Sequence, residues 1–226
     1  MRAAVFAERV LSLPTDGVTA LLAVVLDDGR AGLPDGKMAM RALTDALGDA
    51  ERIPYIVRAD WYQAAAHNGH DSVCKLLLEL PPFQSLPREV IEEIAPGVDT
   101  GIPLGRRKSQ ARSTDRITLE RLLLDPEPSV IKNLLQNPAL TEDWVLRIAT
   151  RRPNLPDVMR QIAKVPRWFD RYWVRVAIAR NPYSPTGLAI RVIPGLNRQE
   201  LREIAADGTL HIEVREAARL ASERRG

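Results

Sequence analysis

Two segments of this chain share a pattern at a spacing of 44 residues. The first runs from Val130 to Thr141 and the second from Val174 to Pro185. Each contains an Asn-Pro pair, at Asn137-Pro138 and at Asn181-Pro182. A helical unit that recurs at such a spacing is typical of α-solenoids, whose units stack because none can bury its apolar face alone. The sequence therefore predicts an all-α chain, folded as a right-handed α-solenoid of stacked helical hairpins.

The rest of the chain also favours helices, because its apolar residues recur at spacings of three and four and nowhere alternate over the length of a strand. Residues 1–96 are predicted to form acidic helical hairpins, and residues 117–226 to form basic repeats continuous with them. Residues 97–116 are polar, basic and rich in glycine, with almost nothing to bury. We therefore expect a mobile basic loop between the two helical halves.

The second Asn-Pro segment resembles a known repeat class. The run from Val174 to Pro185 matches a Val-Arg helix that ends in Asn-Pro and a second proline, and the run from Leu201 to Asp207 matches the Leu-x-x-Leu-Ala-x-Asp pattern that follows it. In these residues the chain is similar to the HEAT-like and leucine-rich-repeat-variant bacterial α-solenoids, over about residues 117–222. The resemblance implies HEAT-like repeats that bind partners. It does not extend to the iron–sulfur module of some members, because that module needs several cysteines and Cys74 is the only one.

Charge is distributed unevenly along the chain. The net charge is +3, but residues 1–94 carry 9 Lys and Arg against 14 Asp and Glu, whereas residues 95–226 carry 23 against 15. Of those 23 cations, 20 are Arg, whose planar fork suits carboxylates and phosphates. Two interpretations stay open: a GC-rich genome that encodes cations as Arg, and an anionic partner.

The sequence contains no signature of catalysis, of a cofactor or of a membrane segment. The single cysteine excludes an internal disulfide, no run is long enough to span a membrane, and Glu8 and Arg9 interrupt the apolar core that a signal peptide would need. We therefore expect a cytoplasmic protein that is not an enzyme and does not bind membranes. His67, His70 and Cys74 have a spacing that a metal site could use on one helix. Asn68-Gly69 breaks that helix, so we favour a structural role and predict no metal.

The densest cluster of aromatic and basic residues lies between Arg167 and Arg175. Arg167, Arg171 and Arg175 follow one another at steps of four, so they line one stripe. A helix is predicted from Phe169 to Arg180. Trp168 and Tyr172 are expected beside this stripe, and Trp173 on the core side. Interleaved arginine and aromatic side chains can clamp a phosphate backbone and stack on bases. The alternative is that the rings cap the repeat core and the arginine stems cover them.

The repeat also predicts which side chains form the core. On the helix before Asn181 we expect Val174, Ala177 and Ile178 to be buried. The 44-residue offset extends this prediction to Val130, Asn133 and Leu134.

These patterns lead to one leading function and two alternatives. The leading function is a non-catalytic scaffold that binds an acidic surface of another protein on an arginine-rich concave face. The candidate binding residues are Arg147, Arg151, Arg167, Trp168, Arg171, Tyr172, Arg175, Arg191 and Arg215. The first alternative is nucleic-acid binding, including a base-excision glycosylase that would use Asp170. The second is self-association of the acidic half with the basic half of another copy.

Overall fold

The computed structural model describes residues 2–48, 52–78, 80–93 and 101–225, and within these ranges all regular structure is helical. The prediction of an all-α chain is confirmed. The helices before residue 94 are α1 Arg2–Leu11, α2 Thr15–Ala31, α3 Pro34–Leu47, α4 Tyr55–His67, α5 Asp71–Leu77 and α6 Arg88–Glu93. Those after residue 100 are α7 Leu104–Gln110, α8 Arg116–Leu122, α9 Pro128–Leu135, α10 Glu142–Thr150, α11 Pro156–Ala163, α12 Pro166–Phe169, α13 Tyr172–Ala179, α14 Thr186–Val192, α15 Arg198–Ala206 and α16 Ile212–Glu223.

The chain divides into two compact units. The first unit contains Met1–Pro81 together with Thr186–Gly226, and the second contains Pro82–Pro185. This differs from the predicted boundaries at residues 96 and 117, because α14 packs against α3 and α5 and α16 packs against α2.

In the first unit, glycine allows α2 and α3 to approach closely. A Cβ atom added at Gly36 would lie 2.4 Å from the carbonyl carbon of Asp28, so only glycine fits there. Helix α2 ends at Gly32, whose φ of 80° is in the left-handed region that glycine adopts without strain.

Arg225 joins the N-terminal and C-terminal helices of the first unit. Its guanidinium donates to the carbonyls of Gly29 and Arg30 at the end of α2, at 3.1 and 3.0 Å. It also donates to the carbonyls of Pro194, at 2.7 Å, and Leu196. The guanidinium of Arg225 thus donates to four backbone carbonyls, two in α2 and two in residues 194–196, and so connects segments that are far apart in the sequence.

In the second unit, Asn137 and Asn181 make the same hydrogen bonds in two places. The Nδ2 atom of Asn137 donates to the carbonyls of Ala111 and Ser113, at 2.9 and 2.8 Å. The Nδ2 atom of Asn181 donates to the carbonyls of Ala149 and Arg151, at 2.8 and 2.9 Å.

The Oδ1 atom of each asparagine accepts from the backbone two residues later, Ala139 for Asn137 and Tyr183 for Asn181. Both asparagines are buried. The asparagine after α9 therefore fixes the end of α7, as the asparagine after α13 fixes the end of α10. Helices α7 and α10 hold equivalent positions.

The expected loop contains a helix. Residues 97–100 lie outside the described residues, but α7 spans Leu104–Gln110 and α8 begins at Arg116, so the prediction of a loop is wrong for these residues. Polar contacts replace the missing apolar ones: Nη1 of Arg107 donates to both carboxylate oxygens of Asp125, each at 2.7 Å, and both residues are buried. A pattern based on apolar periodicity could not detect a helix that packs through an arginine.

The predicted core face is confirmed at five positions. Val174, Ala177 and Ile178 on α13 are buried, as are Val130 and Leu134 on α9. Asn133 is only partly buried, contrary to expectation, because its amide pairs with the carbonyl of Lys108 and with Arg112 at the edge of α9.

Candidate functional site

A break between two helices determines which aromatic rings face solvent. The predicted helix from Phe169 to Arg180 is in fact two helices, α12 and α13, separated by Asp170 and Arg171. Trp168, predicted to bind a partner, is 2% exposed, whereas Trp173, predicted to lie in the core, is 54% exposed. The prediction for Trp173 is wrong, and Trp168 has the buried position of the alternative in which the ring packs in the core. The indole N–H of Trp168 donates to the carbonyl of Leu135 at 2.7 Å, which satisfies its only donor in the interior.

Trp173 is exposed and lies between the half-buried Tyr172 and the buried Val174 in the sequence, with the exposed Arg171 before them. Its ring lies 5.1 Å from that of Tyr172, edge to face at 78°, and Arg171 precedes both at the N-terminal end of α13. The other three tryptophans, Trp61, Trp144 and Trp168, are buried. We call Arg171, Tyr172 and Trp173 the Trp173 patch. It combines the three residue types that dominate the energetics of protein interfaces.

The arginines near this patch are paired with glutamates on neighbouring helices. Nη1 of Arg147 on α10 lies 2.6 Å from the carboxylate of Glu120 on α8. Nε of Arg171 lies 3.6 Å from the carboxylate of Glu142, in the first turn of α10. These two candidate arginines therefore each have a carboxylate beside them.

Three further candidate arginines lie against their own unit. Arg151 is partly buried and donates to the carbonyl of Leu124, and burial lowers the pKa of its guanidinium against the attraction of Asp125. Arg167 lies over the ring of the buried Trp168, 4.3 Å from the ring centre. Arg175 is partly buried on α13. Arg167 and Trp168 thus form the packed arrangement in which an arginine stem covers a core ring.

The two remaining candidates belong to the first unit. Arg191 is partly buried on α14. Arg215 on α16 is also partly buried, and its Nε lies 3.4 Å from the carbonyl of Ala205. The predicted stripe therefore has members in both units.

Comparison with protein-family models, with curated proteins and with solved structures finds no match for this chain.

Among the described residues, no group of three His, Cys, Asp or Glu side chains could hold a metal ion. His67 is exposed, whereas Cys74 is buried, so these two do not converge. Burial raises the pKa of the Cys74 thiol, with the charge of Asp71 adding to the effect. The helices of the described ranges include none that is long and apolar enough to cross a membrane.

The sequence does not reveal the glutamates that neutralise the arginines. Glu120 precedes Arg147 by 27 residues, and Leu124 precedes Arg151 by the same interval. Both contacts span 27 residues because each joins α10, or the residue after it, to α8 or the turn that follows α8. The sequence does not show which helices are neighbours, so an estimate from composition counts these arginines as unpaired.

Proposed function

We propose that this protein is a non-catalytic scaffold that binds another protein through the Trp173 patch. The observation that carries the proposal is the exposure of Trp173 in a chain whose other tryptophans are buried. An exposed tryptophan offers a large apolar area to a partner, and tryptophan, tyrosine and arginine are the residue types enriched at the energetic centres of protein interfaces. Tyr172 packs edge to face against the ring, and the pair of Arg171 with Glu142 places both signs of charge beside it.

The charge around the patch favours a protein over a nucleic acid. A phosphate backbone is bound by cations that are free to replace its counterions. Arg147 and Arg171 already pair with Glu120 and Glu142, which would have to face the phosphates as well. A protein surface with mixed charge can match both signs, and it gains affinity from the aromatic centre.

One observation favours the nucleic-acid alternative. Residues 82–185 hold 17 Lys and Arg against 12 Asp and Glu, a net charge of +5. Exposed cations without an aromatic centre would give sequence-independent binding that falls steeply as salt rises. The base-excision reading, with Asp170 as the catalytic carboxylate, belongs to this alternative.

We propose further that the helices of the second unit from α7 to α13 stack as HEAT-like repeats, in line with the resemblance stated for residues 117–222. The equivalent hydrogen bonds of Asn137 and Asn181 support this arrangement. Stacked repeats offer the extended surfaces that scaffolds use. We place the protein in the cytoplasm on the strength of its lone, buried cysteine.

Affinity capture with matched variants tests the function. The full-length protein is tagged in its native cell and compared with Trp173→Ala, Arg171→Glu and the control Arg160→Glu, each with and without nuclease. Arg160 is a suitable control because it pairs with Asp157 on the same helix, α11. We expect a defined protein to be captured by wild type and by Arg160→Glu, with or without nuclease, and to be lost from the other two.

Two results would count against the scaffold. Capture that disappears with nuclease would transfer the function to nucleic-acid binding. Capture of the protein's own untagged copy, and of nothing else, would point to self-association.

A further inference from the structure

Helix α7 differs from its structural counterpart in what it buries. Hydrogen bonds from Asn137 and Asn181 place α7 and α10 in equivalent positions. Yet α10 buries Trp144, Val145, Ile148 and Ala149, whereas Arg107 is the buried residue of α7. Ala111, immediately after α7, adds a single methyl group.

Helix α9, which packs against α7, is more polar than α13 at two corresponding positions. By the 44-residue offset, Lys132 and Asn133 on α9 correspond to Val176 and Ala177 on α13. Val176 and Ala177 are buried, but Lys132 is exposed and Asn133 is partly buried. The contact between α7 and α9 is therefore more polar than the contact between α10 and α13.

Side-chain hydrogen bonds hold α7 in place. Asp125 accepts from Arg107, Asn133 donates to the carbonyl of Lys108 at 3.2 Å, and Asn137 donates to the carbonyls of Ala111 and Ser113. The Nε atom of Arg107 is buried and has no hydrogen-bond partner. Hydrogen bonds that exchange with water contribute modestly to stability, and a helix with little apolar burial belongs to the least stable part of a fold.

We propose that α7 is a detachable strap, which opens as one segment while α8 to α13 stay folded. Opening frees Arg107 from Asp125. Arg106 is already exposed and Lys108 half-buried in the closed state, so opening adds the buried Arg107 to them in one extended basic stretch. The closed strap therefore withholds Arg107, and a ligand that binds the open stretch shifts the chain toward it.

Hydrogen exchange of the full-length protein, followed by mass spectrometry, tests the strap. Peptides that cover α7 should exchange about tenfold or more faster than peptides that cover α10. Asn137→Ala should speed exchange of α7 further and leave α10 unchanged. In the matched variant Asn181→Ala, α10 should stay slower than α7, because its four buried apolar residues still hold it.

Asp125→Asn provides a second perturbation. Asparagine keeps an acceptor for the amide of Glu127, which donates to Asp125 at 2.9 Å, but it removes the charge that Arg107 needs. We expect faster exchange of α7 and earlier trypsin cleavage after Arg106 and Lys108, with Asp157→Asn as the unaffected control. Should Asp125→Asn fail to fold, the wild-type and Asn137→Ala measurements still decide.

Equal exchange of α7 and α10 in the wild type would overturn the proposal. So would an Asn137→Ala variant that speeds exchange throughout residues 101–185, since α7 would then open only with the whole unit.

Discussion

Arg225 holds the position in the first unit that Asn181 holds in the second. Asn181 stands two residues after the end of α13, and Arg225 stands two residues after the end of α16. Asn181 donates to the carbonyls of residues 149 and 151, and Arg225 donates to those of residues 194 and 196. Asn137, Asn181 and Arg225 follow one another at intervals of 44 residues. The 44-residue spacing of the two asparagines thus continues to Arg225, which also donates to backbone carbonyls.

The guanidinium does more than the amide that it replaces. An amide has two N–H groups, and Asn181 uses both on one pair of carbonyls. Arg225 satisfies the corresponding pair and still reaches the carbonyls of Gly29 and Arg30. These lie at the C-terminal end of α2, where the helix dipole favours a positive charge. Arg225 therefore joins α2 to the end of α16 within the first unit.

Substitution of Arg225 tests this role. Arg225→Ala should lower the free energy of unfolding by about 2–4 kcal/mol, because four carbonyls lose a charged donor. Arg225→Lys should recover less than half of the loss, since an ammonium cannot reach four acceptors in a planar fork. Chemical denaturation measures both. Arg219→Ala is the control, because among the described residues Arg219 forms its ion pairs along α16, with Glu216 and Glu223. Equal losses of unfolding free energy in Arg219→Ala and Arg225→Ala would show that the four hydrogen bonds of Arg225 do not stabilise the fold.

Ile178 and Trp173 on α13 differ in burial, one in the core and one exposed. Ile178 is 0% exposed, so Ile178→Ala should cost ~2–4 kcal/mol of unfolding free energy through lost burial and a residual cavity. Trp173→Ala removes a larger side chain, but from an exposed position, and should change the thermal midpoint little. A Trp173 variant that melts as early as the Ile178 variant would mean that the ring supports the fold.

Acid should weaken the second unit through Glu127. Burial raises the pKa of Glu127, but hydrogen bonds from Arg88 and Ser129 outweigh burial and hold the pKa below its ordinary value. A carboxyl whose pKa is lower in the folded state contributes stability above its unfolded pKa and loses it as the pH falls through the folded value. Thermal midpoints of wild type and Glu127→Gln should therefore converge as the pH falls from about 5. Parallel curves down to acid unfolding would contradict the assignment.

Much of the fold could be predicted because it depends on local pattern. Val174 and Ile178 lie four residues apart on one helix face, and that spacing alone placed them in the core. Asn181 repeats Asn137 because both perform the same local task of fixing the end of an earlier helix.

The site was harder to predict because it depends on tertiary neighbours. Asp170 and Arg171 interrupt a stretch whose periodicity favours one helix, and this break leaves Trp173 outside. Trp168 could be recognised as buried only by knowing that the carbonyl of Leu135 receives its N–H. Helix α7 could not be predicted for the same reason, because its buried residue is Arg107 and the partner of Arg107, Asp125, lies 18 residues away.

Photo-crosslinking from position 173 tests the scaffold most directly. A benzophenone amino acid replaces Trp173 in the full-length protein, and the native cells are irradiated before lysis. The same amino acid at the exposed Ile212, in the first unit, serves as the matched control. We expect a discrete adduct with one protein from position 173 and none from position 212. Adducts with nucleic acid, or the same diffuse products from both positions, would contradict the claim that the Trp173 patch binds a protein partner.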